Sequence, residues 1–313
     1  MHIIRYREEL KNEWDRFVEK ARNATFLFMR DYMDYHSDRF TDASLMFYDG
    51  NSLRALLPMN HSSDGDAKSH EGLTYGGFIL SDDSRYSEVK EMLLLTMQWA
   101  KENLGAKKII YKPTPYIYHR VPSQEDLYAL FSVGARLTGR SLSSTIENRE
   151  RIPFSQLRRR KAKRAAKEGI TYKENSDYGT YWSILADVLA NAHGCAPTHT
   201  LDEIELLHSR FPERIRLFSA YKEETMLAGC VVYETARTAH IQYIAASPEG
   251  KAAGALDGLF EYLFDNTYSN VEFIDFGIST EKGGTILNEG LLFQKEGFGG
   301  RGITYDIYEI DLQ

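Results

Sequence analysis

The sequence predicts a mixed α/β protein made of two similar halves. β-type and helix-type segments alternate, and segments of one half recur in the same order in the other, offset by about 165 residues. That interval is too long for a solenoid repeat and is typical of a duplicated domain. Since 313 residues also exceed the usual size of one compact core, we predict domains at residues 1–150 and 151–313.

The first repeated element is a pair of β-type runs joined by a polar turn. Residues 45–58 and 217–230 each contain an apolar run, a turn rich in charged or small polar residues, and a second apolar run. A further β-type run follows in each half, at residues 73–80 and 241–246. Each half is therefore predicted to contain a hairpin followed by another strand.

Helices and further strands complete each half. Residues 88–104 and 256–264 carry apolar side chains at helical spacing. The β-type runs 107–112 and 271–276 come next, and each half ends in an aromatic-rich helix, a glycine and a last strand. The two halves thus share one predicted order of elements.

A strongly basic helix is predicted between the halves. Seven of the ten residues 158–167 are basic, although the chain carries a net charge of −7. Ser155 suits the N-cap of this helix and Gly169 its C-terminal stop. Contact with phosphate groups and a merely solvated helix face are both open interpretations of this charge.

Composition limits the class of protein. No segment approaches the ~20 apolar residues that span a bilayer, and the N-terminus lacks the apolar core of a signal peptide. The two cysteines, Cys195 and Cys230, lack the spacing of a metal site or a disulfide framework. The net charge gives no overall attraction to nucleic acid or anionic membranes. We expect a cytoplasmic protein with no bound metal and no membrane span.

Four motifs together resemble the FemAB-type transferases. The basic helix at 157–170 (LRRRKAKRAAKEGI) is similar to a basic helix of that family. Similar to its other motifs are the Asp-Phe-Gly strand at 273–277 (FIDFG), the Lys-x-x-Phe-Gly ending at 295–299 (KEGFG) and the Tyr-Gly-Gly segment at 73–77 (LTYGG). Their order and the duplication extend the resemblance from about residue 45 to the C-terminus.

The resemblance implies an α/β (α+β) fold of two tandem GNAT-like domains, each a mixed, mostly antiparallel sheet flanked by helices. Such proteins transfer an acyl or aminoacyl group to an amine. Some draw on aminoacyl-tRNA to build peptidoglycan cross-bridges, and others resemble acyl-CoA-dependent enzymes. Because the long coiled-coil arm of some bridge-building members is missing, we expect an N-acyltransferase that uses acetyl-CoA or another acyl-CoA. The expected acceptor is a small-molecule or cell-envelope amine. A tRNA-dependent aminoacyltransferase and a non-catalytic GNAT-fold binding module are the alternatives.

A turn in the second half is predicted to bind the pyrophosphate of the acyl carrier. Amides in the first turn of a helix bind anions, and Lys251 and Gly254 match the spacing of the GNAT pyrophosphate loop, although Leu256 replaces an expected small residue. A plain strand–turn–helix connection is the alternative. The predicted carrier-binding residues are Lys251, Ala253, Gly254 and Ala255 in the turn, with Gln242, Tyr243, Ile244 and Ala245 in the preceding strand.

Candidate catalytic residues lie on and after the Asp-Phe-Gly strand. Asp275 or Glu281 could accept a proton from an ammonium substrate, and Ser279 lies in the same loop. Alternatively, Asp275 is a structural hydrogen-bond acceptor and Glu281 a solvated charge. His240 is a further candidate base. Where GNAT enzymes often carry a tyrosine as general acid, this chain has Phe293, which cannot donate a proton.

Four residues are predicted to contact the substrate: Tyr75, His193, His199 and Lys295. Tyr75 and Lys295 belong to motifs of the resemblance, and the two histidines enclose a loop expected to face the substrate. These histidines lack the spacing of metal ligands on one face. Thr200 with Glu203 instead predicts a capping box that opens a helix.

Overall fold

The computed structural model describes residues 1–312, except for the side chains of Ala192 and His193. Within these residues the chain forms 17 β-strands and ten α-helices. The strands β1 to β17 are, in chain order, His2–Arg5, Thr41–Asp42, Leu45–Asp49, Ser52–Leu57, Asn60–His61, Ala67–Lys68, Ile79–Leu80, Lys108–Tyr111, Arg136–Glu147, Thr171–Asn175, Ile215–Lys222, Thr225–Glu234, Thr238–Ala246, Phe273–Ile278, Thr280–Glu281, Ile286–Leu287 and Arg301–Asp311. The helices α1 to α10 are Lys11–Lys20, Arg30–Met33, Tyr86–Trp99, Glu125–Ser132, Gln156–Lys167, Tyr178–His193, Leu201–Arg210, Pro248–Ala253, Ala255–Tyr262 and Glu289–Gly297.

The chain divides into two compact units. Unit 1 comprises Met1–Leu142, Thr280–Leu287 and Thr304–Gln313, and unit 2 comprises Ser143–Ser279 and Asn288–Ile303. The domain boundaries predicted from the sequence, at residues 1–150 and 151–313, stay a prediction. No helix in the described part of the chain combines the length and the apolar content needed to cross a bilayer.

Unit 1 contains the predicted hairpin of the first half. β3 and β4 pair antiparallel within a sheet of order β1-β3-β4-β7. The core beneath it includes Leu45, Phe47 and Met92. The strand predicted at 73–80 is reduced to the two residues of β7. The backbone leaves the extended conformation at Gly77, where φ is +84°, and this interrupts a continuous strand.

Unit 1 also buries an ionisable carboxyl group. Asp126 on α4 accepts hydrogen bonds from the Tyr111 hydroxyl at 2.8 Å and the Leu127 backbone N–H at 2.9 Å. Burial outweighs these bonds and raises the pKa of Asp126 to about 6. Because the folded protein prefers the protonated carboxyl, its stabilising contribution is complete below the unfolded pKa and is lost as the pH rises through about 6.

Replacing Asp126 with asparagine is expected to remove this pH dependence. The amide oxygen can still accept the Tyr111 hydrogen bond, but no buried charge forms at neutral pH. In the wild type this one group should cost roughly 2–3 kcal/mol of unfolding free energy between pH 4 and pH 7. Urea unfolding of both proteins across this range measures the difference, and parallel pH curves would contradict the prediction.

Unit 2 is a mixed sheet of order β10-β11-β12-β13-β14-β9, in which β9 contributes its last residues. The predicted hairpin at 217–230 is confirmed by β11 and β12, which pair antiparallel. β13 and β14 run parallel, joined by α8 and α9. A π-helical turn, Leu263–Thr267, extends α9 as predicted for residues 256–264. The unit therefore brings the ends of two parallel strands to one place.

Local signals place the helices of unit 2 correctly. Ser155 is the N-cap of α5, and its hydroxyl accepts a hydrogen bond from the Arg158 backbone N–H. Thr200 and Glu203 form the predicted capping box of α7. α6 packs on β12 and β13, and α9 packs on both α5 and the sheet. These contacts fix the surroundings of β13 and β14.

Candidate active site

β13 and β14 separate soon after they begin. They pair in parallel only through Thr238–His240 opposite Phe273–Asp275. Beyond this point no ladder pair joins the two strands among the described residues, and we call the space between residues 241–246 of β13 and the end of β14 the β13–β14 gap. Since strand backbone groups need partners, the β13 edge along this gap is suited to hydrogen bonding with an extended ligand.

A β-bulge adjusts β13 at the start of the β13–β14 gap. Val231 pairs with Tyr243 and Val232 with Ile241, so Gln242 is the extra residue. Bulges commonly lie next to active sites because they redirect side chains and interrupt pairing. Among the predicted carrier-binding residues on this strand, the side chains of Tyr243 and Ala245 are buried, and those of Gln242 and Ile244 are half-buried. Their predicted role in carrier binding stays a prediction.

The last paired position of the two strands holds a histidine and an aspartate. His240 Nδ1 lies 2.8 Å from Asp275 Oδ2. The other oxygen of Asp275, Oδ1, accepts hydrogen bonds from the hydroxyls of Ser143 at 2.6 Å and Thr145 at 2.7 Å on β9. Asp275 is fully buried, whereas the His240 side chain is 16% exposed. The aspartate therefore holds the histidine where the strands part.

Asp275 is ionised at neutral pH despite its burial. Burial alone would raise its pKa, but the hydrogen bond and charge of His240 and the hydroxyls of Ser143 and Thr145 lower the pKa of Asp275 to about 2. A buried carboxylate with this many donors is strongly fixed in orientation. Both interpretations made from the sequence, a catalytic carboxylate and a structural acceptor, agree with this geometry.

Lys295 lies below the end of β14. It is almost fully buried on α10, and its Nζ donates hydrogen bonds to the backbone oxygens of Gly277 at 2.8 Å and Ile278 at 2.7 Å. Burial lowers its pKa to about 8, while the charge of Asp275 acts in the opposite direction. An ammonium group carries three N–H donors. Two are engaged with carbonyls, which leaves one donor for a further acceptor.

Ser279 follows Ile278 directly in the chain. Ser279 is only 1% exposed, and its hydroxyl has no hydrogen-bond partner in the described structure. Buried hydroxyls usually have partners, so a bound substrate could supply one. Glu281, the other predicted catalytic residue of this loop, lies on β15 in unit 1 and is exposed. Their catalytic roles stay predictions.

The turn between α8 and α9 differs from the prediction. We expected exposed amides there, but Ala253, Gly254 and Ala255 are buried, and of the four predicted turn residues only Lys251 is exposed. α5 covers the turn so closely that a Cβ at Gly254 would lie 2.3 Å from the Lys161 carbonyl oxygen. The expected exposure is therefore wrong, because a helix outside the predicted motif packs on it.

Two contacts anchor α5 against α9. Its small residues Ala162 and Ala165 are buried, and Arg158 Nη1 donates a hydrogen bond to Asp257 Oδ1 at 3.0 Å. The Arg158 guanidinium also lies 4.6 Å from the centre of the Phe298 ring. Five of the six remaining basic residues of α5 are exposed, and Lys161 is half-buried. This basic face of α5 consists of the exposed residues Arg159, Arg160, Lys163, Arg164 and Lys167.

The loop before α7 holds His199 against the sheet. His199 is buried, and its Nδ1 lies 2.5 Å from the hydroxyl of Tyr243 on β13. The Trp182 indole N–H donates to the His199 backbone oxygen at 3.1 Å. These bonds fasten the loop to the sheet, and a substrate contact by His199 stays a prediction. The side chain of His193 lies outside the described part of the chain.

Tyr75 and Phe293 occupy contrasting positions. Tyr75 is buried in unit 1, where its hydroxyl donates to Thr25 Oγ1 at 3.3 Å and its ring contacts Tyr118. A substrate contact by Tyr75 is therefore not supported. Phe293 is 67% exposed on α10, so neither its chemistry nor its position supplies the missing general acid.

The described part of the chain contains no cluster of metal-ligating side chains. Among the residues described, no group of three or more His, Cys, Asp or Glu side chains is arranged to hold a metal ion. Cys195 is exposed and Cys230 is buried, and both are free thiols.

Two sets of contacts around the site were not predicted from the sequence. Ser143 and Thr145 are spaced two residues apart and so lie on the same face of β9, but nothing local indicates that β9 pairs with β14. The Arg158–Asp257 contact joins residues far apart in the chain. The small-residue stripe on the basic helix was the available signal for a packed partner.

Several solved structures have this fold. FemX shows 13% identity with a TM-score of 0.68, covering 99% of this chain and 97% of that one. L-PGS from Bacillus licheniformis shows 14% identity and a TM-score of 0.60, covering 95% and 90%. A tandem GNAT protein from the clavulanic acid biosynthesis pathway shows 9% identity and a TM-score of 0.50, covering 100% and 98%. No protein-family model matches the chain, and no curated protein matches it.

These similarities establish the class of fold. The chain has a mixed α/β architecture with sheets flanked by helices, and it matches tandem GNAT-like and FemX-like structures along nearly its whole length. The predicted fold class and the structural resemblance to FemAB-like proteins are thereby confirmed. At these levels of identity the likeness concerns the fold, and function rests on the site itself.

Proposed function

We propose that unit 2 is an acyltransferase that moves an activated aminoacyl group to an amine within the β13–β14 gap. One observation carries this proposal: a parallel strand pair separates beside a buried His240–Asp275 pair, with the Lys295 ammonium beneath the end of β14. An amide-forming transfer needs a carrier groove, a proton acceptor for the amine and a donor for the leaving group. Each requirement has a candidate here.

Lys295 is the proposed proton donor and electrostatic stabiliser. The acceptor nitrogen forms a bond to the acyl carbon, the bond from that carbon to the carrier oxygen or sulfur breaks, and the leaving atom takes up a proton. A lysine whose pKa is lowered to about 8 is still largely protonated near pH 7 and gives up its proton more readily than an exposed lysine. Its position beside Gly277 and Ile278 offers an alternative to the missing tyrosine at Phe293.

The basic face of α5 favours aminoacyl-tRNA as the donor. Five exposed cations lie on the helix that covers the predicted pyrophosphate turn, and clustered Lys and Arg attract nucleic-acid phosphates even on an acidic protein. The chain resembles the FemAB-type transferases, and some members of that family use aminoacyl-tRNA. A further solved structure with this fold is the C-terminal domain of a lysylphosphatidylglycerol synthetase from Agrobacterium fabrum.

An acyl-CoA donor is the second candidate. The unpaired edge of β13 suits a pantetheine arm, and Lys251 is exposed at the predicted turn. Against it stands the burial of Gly254 and Ala255 beneath α5, since buried amides cannot receive a pyrophosphate unless that helix moves. The proposed acceptor is in both cases a small-molecule or cell-envelope amine.

The deciding experiment offers both kinds of donor to the purified chain. Total tRNA charged with labelled amino acids and a set of labelled acyl-CoAs are each incubated with small amines and amine-bearing cell-envelope precursors, and products are identified by mass spectrometry. We expect aminoacyl transfer from tRNA. Transfer from acyl-CoA alone would establish the second candidate. Absence of transfer from every donor would reject both in favour of a non-catalytic binding module.

The tRNA donor also predicts a salt-dependent affinity. Replacing Arg160, Lys163 and Lys167 with glutamine should weaken tRNA binding and lower the slope of log K against log salt by about 2–3. Filter binding over a range of salt concentrations measures both effects. The matched control replaces three exposed lysines of unit 1, Lys90, Lys101 and Lys107. Equal effects of the two triple variants would show that attraction is nonspecific and would contradict the role of α5.

A further inference from the structure

We propose that His240 is the general base of the transfer, with Asp275 as its positioning residue. This inference rests on the proposed function and assigns a particular group to the removal of the amine proton. Its starting point is the location of both residues at the last paired position of β13 and β14. His240 and Asp275 are therefore the paired residues nearest to an acyl group held along the β13–β14 gap.

The hydrogen bond to Asp275 sets the tautomer of His240. Asp275 is ionised and can only accept, so His240 Nδ1 carries the hydrogen that spans the 2.8 Å contact. In the neutral imidazole the lone pair then resides on Nε2. Because Ser143 and Thr145 hold the other carboxylate oxygen, the aspartate cannot rotate away easily. The network thus orients a proton acceptor, as in established acid–base pairs.

Gly277 brings the proposed base and the ammonium of Lys295 to one backbone position. A Cβ at Gly277 would lie 3.2 Å from His240 Cε1 and 3.8 Å from Nε2, so the imidazole edge faces this glycine. The backbone oxygen of the same residue accepts a hydrogen bond from Lys295 Nζ at 2.8 Å. The φ angle of Gly277 is +71°, a conformation that favours glycine. Proton acceptor and donor are thereby separated by a single residue without a side chain.

The step balances without any further reactant. The amine nitrogen attacks the acyl carbonyl carbon, and its proton moves to His240 Nε2 as the new C–N bond forms. The bond between the acyl carbon and the carrier atom breaks, and Lys295 donates a proton to that leaving atom. Transfer of a proton from His240 to Lys295 through solvent then restores both groups. The products are the amide and the free carrier.

Other ionisable groups lie on the elements in contact with β13 and have to be distinguished from His240. They are Asp275 on β14, Cys230, Tyr233 and Glu234 on β12, Tyr178, Tyr181 and Asp187 on α6, Glu249 and Lys251 on α8, and Asp257, Glu261 and Tyr262 on α9. Lys295 on α10 adds the ammonium beside Gly277. Burial raises the pKa of Tyr178, Tyr181 and Cys230, and these groups stay uncharged near neutral pH. Variants at His240 itself therefore have to separate its contribution from theirs.

Replacing His240 with asparagine tests the proposal. The asparagine amide can occupy the place of Nδ1 and keep the bond to Asp275, but it offers no base at the position of Nε2. We expect kcat to fall by about 10²–10⁴-fold with little change in KM, and the pH profile of kcat to differ from that of the wild type. An alanine variant at the same position should regain part of its activity when imidazole is added, which a purely structural role would not produce.

The matched control is His208→Asn. His208 lies in the same unit, and its Nδ1 is 2.7 Å from the Ile215 backbone oxygen, so the same replacement preserves a comparable bond outside the β13–β14 gap. Its kcat and pH profile should equal those of the wild type. If the wild type transfers and His240→Asn transfers equally with an unchanged profile, the base is rejected and the proposed function stands. If the wild type transfers nothing from any donor, both are rejected together.

Discussion

Replacing Lys295 with methionine is expected to lower kcat by about 10²–10⁴-fold while leaving a folded protein. Methionine fills a similar volume but removes the ammonium that lies against Gly277 and Ile278. The leaving atom then loses its proposed proton donor. An arginine at the same position keeps a charge with a far higher pKa, so any activity it retains should no longer decline above about pH 8. Steady-state kinetics across pH 6–10 measures both effects.

Unit 1 supplies a matched control for this prediction. Lys112 is half-buried, donates a hydrogen bond to the Leu73 backbone oxygen, and has a pKa that burial lowers to about 8. Lys112→Met should therefore change the stability of its unit by a similar mechanism but leave kcat unchanged. An equal loss of activity in both variants, or none in either, would show that Lys295 is a structural lysine.

The second large effect is expected at the turn beneath α5. Gly254→Ala places a Cβ 2.3 Å from the Lys161 carbonyl oxygen and forces alanine to adopt a φ of +77°. The left-handed conformation costs about 1–2 kcal/mol, and the backbone overlap has to be relieved by movement of α5. We expect a total loss of about 3–5 kcal/mol in the free energy of unfolding of unit 2. Urea unfolding gives the stability, and hydrogen exchange along α5 reports its displacement.

Gly169→Ala separates strain from overlap. Gly169 has a similar φ of +71°, but a Cβ there would meet nothing within 4 Å. This variant should lose only the conformational cost, about 1–2 kcal/mol, and any loss of protection should be confined to the last turn of α5, whose end Gly169 closes. Equal losses in the two variants would contradict the close packing of α5 on the turn, and with it the argument against a pyrophosphate at Gly254.

Local sequence signals predicted the elements well because their causes are local. Hairpins at residues 45–58 and 217–230 follow from apolar runs around polar turns, and both are present. The N-cap at Ser155 and the capping box at Thr200 depend on side chains within one helical turn. Sequence also placed Asp275 on the right strand, although its three partners come from two other strands.

Tertiary packing explains the features that were missed. The motif around Gly254 describes only the residues of the turn and therefore predicts exposed amides. In the structure α5, which lies elsewhere in the chain, packs on this turn. His199 was expected to face a substrate, yet its bond to Tyr243 depends on the packing of a loop on β13. His240 was one candidate base among several until parallel pairing placed it opposite Asp275. None of these contacts has a signature within its own segment.

Acyl transfer in the β13–β14 gap of unit 2 is tested most directly by a crystal structure of the chain with a non-hydrolysable aminoacyl-adenosine, in which an amide replaces the reactive ester. We predict that the aminoacyl carbonyl lies beside the backbone of residues 242–246, within reach of His240 and Lys295. An analogue bound in unit 1, or bound in unit 2 away from β13, would contradict the claim.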